Sequence, residues 1–259
     1  MTPDVVVDIG NSRIKWRRYR THNLFDNGSM PTLQPAAWEF PFESGSSRPG
    51  HCLIAGVVPA AVQMFREYMS NGGIDCKVLT NATLLKHAVN FRTEIRNPDR
   101  IGIDRLLGCV AAIRNADESY PAAAAVSVGT AVTIDFIKPD GTHVGGAILP
   151  GWDLMADALN TRTAQLPKIA LEQSVSQRIA GLDTAEAISL GIESAIHGAV
   201  DRLVSRWAHA SGPMTVTVSG GGSQLFEGDN SLFRSESILT MLCDSLALDG
   251  MAILAESLP

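Results

Sequence analysis

Positive charge is scarce in this chain: 21 Lys and Arg stand against 27 Asp and Glu, for a net charge of −6. A protein that holds nucleic acid through overall basicity is therefore excluded, since phosphate contacts need a surplus of cations. Cysteine is also sparse. Cys52, Cys76, Cys109 and Cys243 are scattered, without the close spacing of a zinc or redox motif. Cys109 falls in an apolar helical pattern, where it is expected to pack. Such usage fits reduced thiols and a cytoplasmic location better than a disulfide framework. Long apolar runs are missing, so no membrane span is expected. Met1-Thr2-Pro3-Asp4 lacks the charged lead of a secretory signal and runs directly into a strand. What remains is ordinary globular material, 259 residues and 45% hydrophobic, enough for one large domain or two modest ones.

The informative stretch lies at the start. The apolar run Val5-Val6-Val7 leads into Asp8-Ile9-Gly10-Asn11-Ser12, and Arg13-Ile14-Lys15-Trp16 leaves with the alternation of a second strand. This strand–turn–strand unit gathers a carboxylate and backbone N–H groups at one place, which suits a nucleotide's phosphates and their metal ion. Gly10 permits close backbone approach. Asn11 and Ser12 can donate to phosphate oxygens. Asp8 would repel bare phosphate but suits a hydrated Mg²⁺ bridging phosphates. Taken alone, an ordinary Asp–Gly turn accounts for the segment equally well.

An echo follows. Ala122 to Val126 is a second apolar run, Ser127-Val128-Gly129-Thr130-Ala131 mirrors the first turn, and Val132 to Phe136 leaves as a strand. Gly220-Gly221-Gly222 closes a third apparent strand, Met214 to Ser219, where backbone could lie flat against a base. A duplicated phosphate hairpin indicates two related domains facing one nucleotide. Residues 1–115 are read as the first domain and 116–259 as the second, with an apolar helix from about Ser245 able to pack back onto the first.

Between these landmarks, strands alternate with helices, as in α/β layers. Cys52 to Val58 and Lys77 to Thr80 read as strands. Ala61 to Ser70 reads as a helix stopped by Gly72-Gly73, and Asp104 to Arg114 as another. His22 to Gly50, rich in Gly, Pro and Ser, reads as strand fragments and loops. Pro139-Asp140-Gly141 is a turn, followed by a strand from Val144 to Leu149 that Gly145-Gly146 breaks. A helix near Asp153 to Asn160 comes next. Asp183 with Glu186 forms a capping signature for a helix running to about Ala210, in which Gly191 and Gly198 could admit another backbone. The basic cluster Arg13, Lys15, Arg17, Arg18 and Arg20 is expected to decorate a solvated strand.

Gly102-Ile103-Asp104-Arg105 is the second chemical centre. On local sequence, Asp104 favours a helix cap; as a general base it would take a proton from a substrate hydroxyl. Arg105 could hold a carboxylate or phosphate in a two-pronged contact, or form a surface ion pair. His51, His87, His143 and His197 lack metal-ligand spacing and read as structural or surface residues. Trp152 reads as shaping a loop or a contact between copies. Asp135 could be a third carboxylate facing the nucleotide or a strand-end cap.

Here a resemblance becomes specific. Asp8-Ile9-Gly10-Asn11-Ser12, Gly102-Ile103-Asp104-Arg105, Gly129 to Asp135 and Gly145 to Gly151 occur in the order found in type III pantothenate kinases. Thr163-Ala164-Gln165-Leu166-Pro167, and Thr184 followed by Ser189-Leu190-Gly191-Ile192, extend the match over nearly the whole chain. The resemblance implies an α/β fold of two ribonuclease-H-like (actin-like ATPase) domains, with the nucleotide cleft between them. It implies ATP-dependent phosphorylation of pantothenate to 4′-phosphopantothenate, the first step of coenzyme A biosynthesis. Asp104 would accept the proton of the pantothenate hydroxyl. Gly102, Ile103, Arg105 and Thr184 would contact pantothenate. Asp8, Ile9, Gly10, Asn11, Ser12, Arg13, Ile14, Lys15, Gly129 and Thr130 would bind ATP, with Asp8 holding Mg²⁺ through water. K⁺ or NH₄⁺ and a homodimer are further family expectations; nucleic acid and membrane are not.

Two positions depart from the family pattern. Ser127 stands where an Asp usually ligates the monovalent cation, and a neutral hydroxyl weakens such a site. Ile95 stands about where a pocket-lining Tyr is common, offering apolar contact without a hydroxyl. Two other readings stay open on sequence alone: another small-molecule kinase of the same fold, and a nucleotide-binding regulatory accessory protein.

Overall fold

The computed structural model describes residues 3–20, 23–38, 49–170, 179–226 and 235–258. They form two compact units: Met1–Ala111 with Ser245–Pro259, and Ala112–Asp244.

The first unit opens with β1 (Val5–Ile9), β2 (Arg13–Arg20) and β3 (Asn23–Pro31), an antiparallel meander. Next come β4 (His51–Gly56), α1 (Pro59–Asn71), β5 (Asp75–Val78), α2 (Asn81–His87), the short β6 (Arg92–Thr93) and α3 (Ile103–Asn115). The sheet order is β3-β2-β1-β4-β5, with β4 and β5 parallel to β1. Val5, Val7 and Ile9 alternate onto the face that packs on Ala61, Phe65 and Met69 of α1. Pro59 starts α1, where its missing N–H costs nothing. Gly73, at φ +74°, ends the turn beyond it by donating its N–H to Ser70 O at 2.8 Å.

The second unit holds β7 (Ala122–Val128), β8 (Ala131–Ile137), β9 (Thr142–Pro150), α4 (Trp152–Arg162), α5 (Thr184–Ser211), β10 (Met214–Ser219) and β11 (Ile238–Leu242). These strands lie in the order β9-β8-β7-β10-β11. A meander is again followed by two parallel strands. α5 buries Ile188, Ile192, Ile196, Val200 and Val204 against that sheet's core. The closing helix, α6 (Leu246–Ala255), returns to the first unit and packs on β1 and β2. Gly250 makes that return possible at α3, since a Cβ there would lie 2.1 Å from Leu107 O.

Several sequence expectations change. Asp8 and Ile9 belong to the strand, so the turn proper is Gly10-Asn11-Ser12. Within the His22–Gly50 stretch, β3 is one long strand, because β2 offers a full edge to pair with; residues 22 and 39–48 lie outside the described residues. The strand read at Lys77 to Thr80 begins at Asp75 and ends at Val78, in register with β4. β9 continues through Gly145-Gly146. Ile137 faces His143 and Phe136 faces Gly145, so Val144 is the extra residue of a bulge and Gly145 takes φ +119°. A Cβ on Gly191 or Gly198 would meet nothing within 4 Å outside the helix's own backbone, so no other backbone among the described residues approaches them.

The largest correction concerns the basic cluster. Arg17 and Arg18 are only 6% and 5% exposed. α6 covers the sheet face that bears Arg17 and supplies Asp249, which accepts from Arg17 Nη1. A buried guanidinium needs such a partner, and this one comes from the far end of the chain.

Candidate active site

Asp8 sits in the penultimate position of β1, directly opposite Lys15 of β2. Period-two alternation puts it on the face with Val6, away from α1. The residue as a whole is partly buried, but its Oδ1 is enclosed and lacks a hydrogen-bond partner among the described residues. Burial, then the nearby negative charge of Asp104, push its carboxyl up from 3.8 to about 7, against the opposing pull of Lys15. An enclosed carboxylate oxygen without a donor fits a cation better than it fits another anion.

The turn above Asp8 is held rigidly. Gly10 N–H donates to Arg13 O at 3.0 Å. Thr32, fully buried just after β3, donates its N–H to Ser12 O at 3.0 Å and its hydroxyl to Gly10 O at 2.9 Å. Arg13 is occupied on the outer side, with Nη2 donating to Ser29 Oγ at 2.7 Å. Asn11 and Ser12 form the exposed tip. Ile9 and Ile14, facing each other across the hairpin, are core residues with no exposure. They shape the turn from beneath.

α3 begins at Ile103, so Asp104 lies inside its first turn rather than capping it. Gly102 makes room for the carboxylate, since a Cβ there would stand 2.4 Å from Asp104 Oδ1. The helix N-terminus favours negative charge at this position. Ile103 is buried, while Asp104 and Arg105 are half-buried. Asn81, at the start of α2, fixes the approach. Its Nδ2 donates to Pro98 O at 2.8 Å and to Ile101 O at 2.9 Å. Ile95 is half-buried three residues before Pro98. Asp8, Lys15 and Asp104 thus interact electrostatically within one unit. Asn81 and Thr32, the supports of this arrangement, carry no motif of their own and were not read from sequence; Thr32's place after Pro31 is the only hint.

In the second unit Ser127 faces Thr133 of β8 across the hairpin, and Ser219 of β10 on its other side. Gly129 N–H donates to Ala131 O at 3.1 Å, and Gly151 N–H to Thr130 O at 2.9 Å. Gly151 must be glycine, because a Cβ would stand 2.0 Å from Gly129 O. Gly220, at φ +103°, and Gly222 complete the cluster, with Gly222 N–H donating to Val128 O at 3.0 Å. The three glycine-bearing segments read from sequence at Gly129, Gly151 and Gly220 therefore meet. Asp135 lies inside β8, not at a strand end, and is buried against His143 Nε2 at 2.9 Å. Thr184 is the exposed first residue of α5. Before it, Asp183 accepts from Glu186 N–H at 2.8 Å, and Glu186 Oε2 accepts from Leu182 N–H at 2.8 Å. Asp183 thus caps the helix as expected from sequence, while Glu186 reaches back to the residue before the cap rather than to the cap itself.

Comparison with known proteins converges on one family. A family model described as type III pantothenate kinase matches residues 5–206. The type III pantothenate kinase of Idiomarina loihiensis is 31% identical, over 98% of this chain and 99% of the relative. That of Bordetella bronchiseptica is 32% identical, over 97% of each. Among solved structures, Porphyromonas gingivalis acetate kinase aligns over 99% of both chains at 9% identity with a TM-score of 0.50. The ethanolamine utilization protein EutJ of Carboxydothermus hydrogenoformans aligns over 98% of this chain and 89% of that one, at 12% identity and a TM-score of 0.50. The structural likenesses establish the actin-like ATPase and sugar kinase fold.

Proposed function

The chain belongs to the type III pantothenate kinase family, and we propose that Asp104 and the β1–β2 hairpin carry its chemistry. The activity is ATP-dependent phosphorylation of pantothenate to 4′-phosphopantothenate, the step that opens coenzyme A biosynthesis. The observation that carries the residue assignment is the placement of Asp8, Lys15 and Asp104 in one electrostatic group at the ends of β1, β2 and α3.

Asp104 accepts the proton of the pantothenate primary hydroxyl as its oxygen attacks the γ-phosphorus of ATP. The bond from that phosphorus to the β–γ bridging oxygen breaks, and ADP leaves. Gly102, Ile103, Arg105, Ile95 and Thr184 bind pantothenate. Gly10, Asn11, Ser12, Arg13, Lys15, Gly129 and Thr130 bind ATP, with Lys15 placing positive charge beside the hairpin. A kinase of this family works with a divalent metal, for which Asp8 Oδ1, without a hydrogen-bond partner among the described residues, is a fitting anchor through water. Asp8 would hold that ion, which would supply charge neutralisation for the transferring phosphoryl group. The monovalent cation of the family has only the Ser127 hydroxyl at its usual position. A homodimer is carried only by membership of the family. A cytoplasmic location fits four free thiols.

The test is turnover. ADP release and 4′-phosphopantothenate formation should both require pantothenate. Asp104→Asn should lower kcat by about 10²- to 10⁴-fold, the range for loss of a general base, with its far-UV circular dichroism spectrum unchanged. Normal turnover by that variant would show that another group takes the proton.

A further inference from the structure

Twenty-four positions apart in sequence, Cys52 and Cys76 are brought directly opposite each other by the parallel pairing of β4 and β5. Partners in register send their side chains to the same face. Neighbouring strands lie about 4.8 Å apart, inside the Cα separation of about 4.4–6.8 Å that a disulfide spans. Both thiols face α1: Cys52 belongs to the core cluster with Ala61, Phe65 and Met69, and Cys76 packs against it. The two also share a hydrogen bond, with the Cys52 S–H donating to Cys76.

Their surroundings divide the labour. β5 is the edge strand of its sheet, and Cys76 is half-buried there, whereas Cys52 is 2% exposed. The Cys52 hydrogen bond draws the Cys76 thiol down, with the Arg66 cation of α1 acting in the same direction. That bond and burial push the Cys52 thiol up. An accessible sulfur beside a buried one is the arrangement of an attacking and a resolving cysteine.

We propose that Cys52 and Cys76 form a redox-active dithiol, oxidised to an intramolecular cystine by low-molecular-weight disulfides. The Cys76 thiolate attacks one sulfur of the small disulfide, forming a mixed disulfide and expelling one thiolate. Cys52 then gives up its proton and attacks Cys76 Sγ, expelling the second thiolate. The protein loses two electrons and two protons, and the small disulfide leaves as two thiols. A reducing dithiol reverses the sequence.

The experiment exposes the folded, full-length protein to oxidised glutathione, quenches with acid, denatures, alkylates free thiols and maps the digest by mass spectrometry. The expected product is a cross-linked peptide pair joining Cys52 to Cys76, two hydrogens lighter than the separate peptides. Cys109 and Cys243 should carry the alkyl label, and dithiothreitol should remove the cross-link. Cys52→Ala should instead accumulate glutathione on Cys76. A wild-type map with glutathione on Cys76 and no cross-link, or with Cys76 unmodified, would overturn the proposal. So would a cross-link that forms only after denaturation.

Discussion

The hairpins β1–β2 and β7–β8 are two versions of one scaffold. Each is the first pair of a meander, and each is flanked by a parallel strand on its other side. In each, a proline ends the third strand opposite the turn: Pro31 faces Arg13, and Pro150 faces Ala131. The next residue then ties the turn down, Thr32 in the first unit and Gly151 in the second. The parallel strand also ends alike. Val57 N–H donates to Ile9 O at 3.0 Å, and Gly222 N–H donates to Val128 O at 3.0 Å. The chemistry differs where the backbone does not. Asp8 faces Lys15, a carboxylate opposite an ammonium, while Ser127 faces Thr133, a hydroxyl opposite a hydroxyl. A duplicated fold can thus keep its hydrogen-bonded frame while only one copy carries an ionisable pair at this position beside the turn.

The comparison can be broken first at Asp8. Asp8→Asn should lower turnover by about 10²-fold or more, as expected when an electrostatic partner of transferring phosphate is lost. It should also alter stability in a pH-dependent way. Asp8 is pushed up to about 7 in the fold, so the folded protein holds a proton that the unfolded chain releases near pH 4. Wild-type stability then falls as pH rises from about 4 to about 7 and levels beyond. The rise from 3.8 to about 7 corresponds to something on the order of 4 kcal/mol. Without added metal, Asp8→Asn should unfold at higher denaturant than wild type at pH 8, and the two should converge near pH 4. Equal pH profiles for the two proteins would mean that Asp8 is not desolvated.

The shared frame is tested by glycine substitution. At Gly220, a Cβ would stand 2.4 Å from Val128 O and the backbone is at φ +103°, whereas a Cβ on Gly221 meets nothing within 4 Å. Gly220→Ala should cost about 2–4 kcal/mol in denaturant unfolding, and Gly221→Ala less than about 1 kcal/mol. Equal costs would remove the close approach from the account. The smallest expected effect sharpens the asymmetry itself. Ser127→Asp restores a charge to the second hairpin and should increase the response of turnover to K⁺ by a few-fold. An unchanged response would place the monovalent cation elsewhere.

The legible parts of this molecule were those whose signal is local. Val5 to Val7, Ala122 to Val126 and Met214 to Ser219 are apolar runs that are strands wherever they pack, and Asp183 with Glu186 marks a helix start within four residues. The order of motifs around Gly102 to Arg105 and Gly129 to Asp135 carried the family and the activity. What stayed hidden depends on distant partners. β3 and β11 are strands because a neighbouring edge accepts them; their own composition gives little sign of it. Arg17 looked solvated until Asp249, some 230 residues away, proved to be its partner. Cys52 and Cys76 have no motif spacing, yet strand register makes them neighbours. The raised Asp8 carboxyl arises from burial and from Asp104, neither of which a turn sequence reveals.

The most direct measurement is the titration of Asp8 itself, followed through its side-chain carboxyl carbon by ¹³C nuclear magnetic resonance in metal-free protein. The account requires a midpoint of about 7, displaced to lower pH when magnesium and nucleotide are added, because a bound cation competes with the proton. A midpoint near the ordinary aspartate value of about 4, unmoved by magnesium and nucleotide, would contradict it.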